Sequence, residues 1–194
     1  MKIAIINYGA GNIQSIKFAF QRLGYKAILT HDAEEIRNAD KVIFPGVGEA
    51  SSAMKMLRES KLDKLIPELK QPVLGICLGM QLMCHSSEEG KTEGLGIFDV
   101  DVVKFTNKVK VPQIGWNEIS NLKSDLFKGI SEKAHIYLVH SFYAPLCSET
   151  IAESYYELSY SAALGKDNFY GVQFHPEKSS LVGEKILLNF LSIK

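Results

Sequence analysis

The first half of the chain repeats one unit, a short β-branched run followed by a stretch with helical spacing, and this alternation restricts the fold more than any other feature. Lys2 to Asn7 reads as a buried strand; Ile13 to Leu23 then sets Ile13, Ile16, Phe20 and Leu23 on one helical face, with Gly24 as the stop. Tyr25 to Leu29 reads as a second strand, Ala33 to Arg37 as a short helix, and Lys41 to Phe44 as a third strand ended by Pro45-Gly46. A helix over Ala50 to Glu59 precedes a fourth strand, Pro72 to Ile76, and a helix from Leu78 to His85. Strands spaced by helices pair in parallel through crossovers, so the sheet they form is covered on both faces.

The second half changes rhythm. Residues 99 to 119 alternate around Asn107-Lys108 as a hairpin would, and short runs follow at His135 to Ser141, Ile151 to Tyr156, Ser159 to Leu164 and Phe169 to Phe174. These predict antiparallel strands that extend the sheet, closed by an amphipathic helix over Leu181 to Leu191. With no repeat, low-complexity stretch or linker, the expectation is one three-layer α/β domain over residues 1–194, its central sheet mainly parallel.

Charge balance narrows the function classes. The 22 basic and 22 acidic side chains cancel, which argues against binding nucleic acid or anionic membrane through a surplus of Lys and Arg. The longest apolar runs are far short of the roughly 20 residues that cross a bilayer. The chain enters a strand at once, without a leader-like segment, so a cytoplasmic location is expected. The three cysteines, Cys77, Cys84 and Cys147, cannot all pair within one chain, which leaves at least one free thiol. Lys104, Lys108 and Lys110 read as a solvated basic surface.

The sharpest local signal is Gly75-Ile76-Cys77-Leu78-Gly79, after a strand and before a helix. This is the nucleophile-elbow pattern with Cys in place of Ser; the tight turn tolerates only small neighbours and lifts the sulfur clear of the sheet. It also frees the Leu78 N–H to bind an oxyanion. Among five histidines, His175 fits the base, because it ends a strand, precedes Pro176 and has Glu177 two residues on to orient its ring. Pro45-Gly46-Val47-Gly48 lies at the carboxyl end of the third strand, where open sheets bind ligands. The Val47 N–H is the expected second oxyanion donor. Gly9-Ala10-Gly11 is declined as a dinucleotide fingerprint because Gln14 stands where the third glycine belongs.

The motifs Gly75-Ile-Cys-Leu-Gly-Met-Gln81 and Gly171-Val-Gln-Phe-His-Pro-Glu177 resemble those of the class I (triad) glutamine amidotransferases. Asn7 to Asn12, Pro45 to Gly48, Gly115-Trp-Asn117 and His140-Ser-Phe-Tyr143 narrow the resemblance to the glutaminase subunits of imidazole glycerol phosphate synthases. The resemblance implies a flavodoxin-like fold, a catalytic Cys77, His175 and Glu177, and an oxyanion hole at Val47 and Leu78. It implies a glutamine site involving Gly46, Gly48, Gly79, Gln81, Ser141, Phe142 and Tyr143, with no cofactor and no metal. It also implies a partner, a (β/α)8-barrel cyclase that receives the ammonia in histidine biosynthesis, contacted through Asn12, Trp116, Asn117, Tyr137 and Lys178. A paralogue feeding ammonia to a different barrel, or a catalytically silent regulatory subunit, are the alternatives. One departure stands out: the family usually has His where this chain has Gln113.

Overall fold

The computed structural model describes residues 1–9 and 11–194; Ala10, inside the Asn7–Asn12 motif, lies outside the described residues. In chain order the elements are β1 (Ile3–Ile6), α1 (Ile13–Arg22), β2 (Ala27–Thr30), α2 (Ala33–Arg37), β3 (Lys41–Gly46), α3 (Ala50–Glu59), α4 (Leu62–Leu65), β4 (Val73–Cys77) and α5 (Leu78–Met83). There follow β5 (Cys84–Ser87), β6 (Thr92–Glu93), β7 (Phe98–Lys104), β8 (Gln113–Ile119), β9 (Ala134–His140), β10 (Phe142–Tyr143), β11 (Thr150–Tyr156), β12 (Leu158–Lys166), β13 (Phe169–Val172) and α6 (Ser180–Ser192).

Seven strands form the central sheet in the order β11-β12-β13-β4-β3-β1-β2. From β2 to β13 all pairings are parallel, and β12 and β11 add antiparallel strands at the far edge. The parallel portion has the doubly wound order that carries its ligand crevice beyond the carboxyl ends of the strands. Every residue of β1, β3 and β4 is buried, because alternate side chains serve opposite faces. Ala4, Ile6, Val42 and Phe44 pack with α3 residues Ala53, Met54 and Leu57. Ile3, Ile5, Ile43, Leu74 and Ile76 pack on the other face with Phe20 of α1 and Ile186 and Phe190 of α6. The three-layer α/β expectation holds. No helix among the described residues is long and apolar enough to cross a membrane.

Three local expectations are corrected. β3 continues through Pro45-Gly46 instead of ending before them. Pro45 O accepts the Tyr8 hydroxyl at 2.9 Å on the side where β1 has already ended. Lacking an N–H, Pro45 ends the β1–β3 ladder after Ile5–Ile43, while pairing with β4 on the other side continues to Gly46–Cys77. Next, α5 stops at Met83, and Cys84–Ser87 is a strand, not helix. The reason is competition for carbonyls: Leu82 O and Met83 O accept from Leu95 N (2.8 Å) and Ile97 N (2.9 Å), so no further helical turn can use them. Finally, residues 99 to 119 are not a hairpin. β7 pairs with β5 and β10 in a separate four-stranded sheet, while β8 pairs only with β9 as a two-stranded ribbon. The connecting segment is held instead by an aromatic cluster, with Phe105 edge-on to Tyr156 and Tyr160 and the Tyr156 hydroxyl donating to Lys110 O at 2.7 Å.

Candidate active site

Three neighbouring strand ends build the site. β3 and β4 end side by side, with Gly46 paired to Cys77, and β13 runs beside β4 toward His175. Cys77 adopts φ 54° and ψ −110°, a left-handed-side conformation that a non-glycine residue holds only when its surroundings impose it. The surroundings do so by close approach. A Cβ on Gly79 would stand 2.0 Å from Phe44 O, and one on Gly75 would stand 2.4 Å from Met83 Cε. The first turn of α5 therefore lies directly on β3, and the two glycines flanking Cys77 serve packing. Gly46 does the same from the β3 side, 2.5 Å from Gly79 N by the same measure.

The Cys77 sulfhydryl lies 3.7 Å from Val139 O, its acceptor on β9, and the Gln173 amide Nε2 donates to Sγ at 3.8 Å. His175 is buried, and its Nδ1 meets Glu177 Oε1 at 2.9 Å. The other carboxylate oxygen, Glu177 Oε2, is buried with no partner among the described residues, so the charge is directed at the ring. Burial alone would lower the His175 pKa, but hydrogen bonding and charge from Cys77 and Glu177 outweigh it and raise it to about 10.

These groups open on a cavity of about 340 Å³, room for an amino-acid-sized molecule. Cys77, Leu78, Val47, Gly48, Gln81, Ser141 and Phe142 line it together with His175 and Lys178. Gly48 takes φ 99°, which lets the exposed loop after β3 turn back over the cavity. Tyr143 does not line it; its ring stacks on Phe105 at 4.5 Å in the aromatic cluster. Gln81 is buried rather than an exposed helix residue, and its Nε2 donates to Phe142 O and Gln173 Oε1, both at 2.9 Å.

Sequence reasoning missed two lining or adjoining groups. Gln173 is wholly buried against Cys77; it lay inside a quoted motif, but its partners come from other elements. Glu89 is a carboxylate in the cavity wall, with Oε2 accepting from Ala50 N at 2.9 Å. Burial raises its pKa. Nothing local in the Glu88-Glu89-Gly90 turn marks it.

The remaining histidines go elsewhere. His31 and His135 are exposed, and His85 pairs with Asp101 at 2.9 Å on the surface of β5. His140 is buried at the cavity rim, with Nδ1 on Phe142 O at 2.8 Å. Beside it Gln113 is buried and accepts the Tyr160 hydroxyl at 3.1 Å. A phenol in that interior needs an acceptor, and the glutamine amide supplies the one that an imidazole nitrogen could offer. All three cysteines are free thiols.

Of the other surface candidates, Trp116 is 53% exposed on β8, edge-on to Tyr137 of β9 at 6.0 Å, and the Lys178 ammonium stands 5.8 Å over the Tyr137 ring. Asn117 donates to Tyr155 O at 2.8 Å, and Asn12 accepts from Ser15 Oγ at 3.0 Å where α1 begins. Trp116 is thus no core residue.

Comparison with known proteins agrees with this geometry. Residues 4–193 match the family model described as glutamine amidotransferase class-I. The chain is 57% identical, over the full length of both, to the imidazole glycerol phosphate synthase subunit HisH of Bacteroides fragilis. It is 46% identical, again over both full lengths, to the same-named subunit of Pectobacterium atrosepticum. A solved glutamine amidotransferase superposes with a TM-score of 0.76 at 18% identity, covering 97% of each chain. Another, from Thermotoga maritima, gives 0.63 at 18% identity, covering 98% of this chain and 82% of that one.

Proposed function

The chain belongs to the class I glutamine amidotransferases, and from that premise we propose that it is the glutaminase subunit of an imidazole glycerol phosphate synthase. It is an enzyme that hydrolyses L-glutamine to glutamate and ammonia, with residues 1–194 acting as one glutaminase domain. The observation that carries the reading is the buried His175–Glu177 pair beside Cys77 at a shared cavity.

The Cys77 thiol passes its proton to His175, whose raised pKa suits it to take that proton. The Cys77 sulfur attacks the side-chain carbonyl carbon of glutamine, and the Val47 and Leu78 N–H groups hold the oxygen as it becomes an anion. The C–N bond breaks and His175 gives its proton to the leaving nitrogen, which departs as ammonia. Water then loses one proton to the same imidazole and attacks the thioester; Cys77 leaves as thiolate and recovers that proton from His175, and the new γ-carboxyl group gives its own proton to solvent as glutamate departs. Glu177 holds the ring by its Nδ1 hydrogen throughout. Gly48, Gln81, Ser141 and Phe142 wall the glutamine site, while Gly46, Gly79 and Tyr143 shape it from behind. Glu89 offers its carboxylate to the substrate's α-ammonium.

Ammonia released into water is protonated and lost as a nucleophile, so the acceptor reaction belongs to a partner docked over the cavity. That partner is a (β/α)8-barrel cyclase forming a heterodimer in the cytoplasm, contacted through Asn12, Trp116, Asn117, Tyr137 and Lys178. No cofactor is needed. The test is formation of imidazole glycerol phosphate by the chain with the cyclase and its ribulosyl nucleotide substrate, supplied with glutamine or with an ammonium salt. Cys77→Ala should abolish the glutamine-dependent reaction and leave the ammonium-dependent one intact. Loss of both, or of neither, overturns the reading.

A further inference from the structure

The orientation of the Gln173 amide is set by a chain of hydrogen bonds that has only one solution. Phe142 O is a backbone carbonyl and can only accept, so the Gln81 atom 2.9 Å away must be its NH₂. The same NH₂ meets Gln173 at 2.9 Å, so Gln173 must turn its carbonyl oxygen to it. What remains of Gln173, its NH₂, faces Cys77 Sγ at 3.8 Å. A single carbonyl on β10 thereby decides that the sulfur is met by a donor and not by an acceptor. The arrangement is buried throughout, Gln173 fully and Gln81 nearly so, and neither amide can flip without burying two like groups against each other.

We propose that Gln173 acts on the nucleophile as a thiolate donor, its amide N–H stabilising the Cys77 sulfur anion, and that Gln81 is a positioning residue that holds this amide the right way round. The inference rests on the reading of Cys77 as the nucleophile. When the thiol S–H bond breaks and the proton passes to His175, the negative sulfur keeps a fixed N–H against it. The acidic or basic groups facing this corner are His175 with Glu177 behind it, Tyr8, whose pKa is raised by burial and by Cys77, and, from the walls of the same cavity, Glu89, His140 and Lys178. Phe142 O also takes the His140 Nδ1 hydrogen at 2.8 Å, so the carbonyl that fixes the relay is itself held in place from the cavity rim.

The test measures the thiol directly, as the rate of Cys77 alkylation by iodoacetamide across pH 5 to 10 on the full chain with Cys84 and Cys147 replaced by Ser. In Gln173→Leu the profile should move to higher pH by about one unit, slowing alkylation near neutrality roughly tenfold. Gln173→Glu still accepts from Gln81 but sets a carboxylate against the sulfur, and should slow alkylation at least as much; it serves if the leucine variant fails to fold by circular dichroism. A Gln173→Glu profile that coincides with the parent overturns the proposal. Because alkylation needs no glutamine, that outcome stays separate from a failure of the glutaminase reading, which the parent chain's glutamate release reports.

Discussion

His140 and His175 are both buried near Cys77, yet they titrate in opposite directions. Burial pushes His140 down to about 4, whereas Cys77 and Glu177 overcome burial and lift His175 to about 10. For His175, raised above the ordinary value near 6.5, the stabilisation is complete below pH 6.5 and is lost as pH climbs toward 10. For His140, lowered, it is complete above 6.5 and is lost as pH falls toward 4, by about 3 kcal/mol in all. Urea unfolding across this range should give a maximum near pH 6.5. His140→Gln, which keeps an N–H for Phe142 O, should flatten the acid limb, and Glu177→Gln the alkaline one; limbs unmoved by either substitution would refute the assignment. Cys77, His175 and Glu177 were legible because strand, turn and flanking glycines or proline are contiguous in the chain. Gln173 and Glu89 were not, since the role of each depends on groups from other elements, such as Phe142 O and Ala50 N.

The β8–β9 ribbon is the element that joins surface to site. Tyr137, on its outer side near Trp116, binds His175 through the backbone: His175 N donates to Tyr137 O at 2.9 Å. Tyr137 N in turn donates to Ser179 Oγ, which donates to His175 O. Two residues further along β9, Val139 O meets the Cys77 thiol. A load applied at Trp116 thus has a short route to His175 and Cys77. If Trp116 anchors the partner, Trp116→Ala should weaken docking by about 2 kcal/mol or more in titration calorimetry, with circular dichroism unchanged; equal affinities would remove it from the interface. The alternating patterns of β8 and β9 were readable as strands, but their partners were not. Alternation reports which face is buried and carries no record of the neighbouring strand, which is why the Asn107-Lys108 region resembled a hairpin. The helical start at Leu78 was likewise visible, while its stop depended on carbonyls claimed by residues 95 and 97.

Across the whole molecule, the parallel order and both covered faces followed from the repeated strand–helix unit, since fully apolar runs such as Ile3–Ile6 are stable only between two layers. The separate four-stranded sheet and the ribbon did not follow, because nothing in the period of a strand says which sheet it joins. With 22 charges of each sign, the molecule has no net charge with which to gather an anionic nucleotide, which suits a subunit whose own substrate is zwitterionic glutamine. The exposed loop at Val47–Gly48 carries one proposed oxyanion donor, so the isolated chain should release glutamate slowly. Addition of the cyclase with its nucleotide ligand should raise that rate by ~10-fold or more; full activity of the chain alone would defeat this.

β13 is inserted between β4 and β12 although it is made last of the three. Until residues 169–172 dock, β4 has an open edge on that side, and His175, which follows β13, has not reached Cys77. Pairings so distant in the chain form late. On the proposed reading, Cys77 and His175 come together only when β13 docks between β4 and β12, so the last sheet strand of the chain is also the one that completes the proposed site.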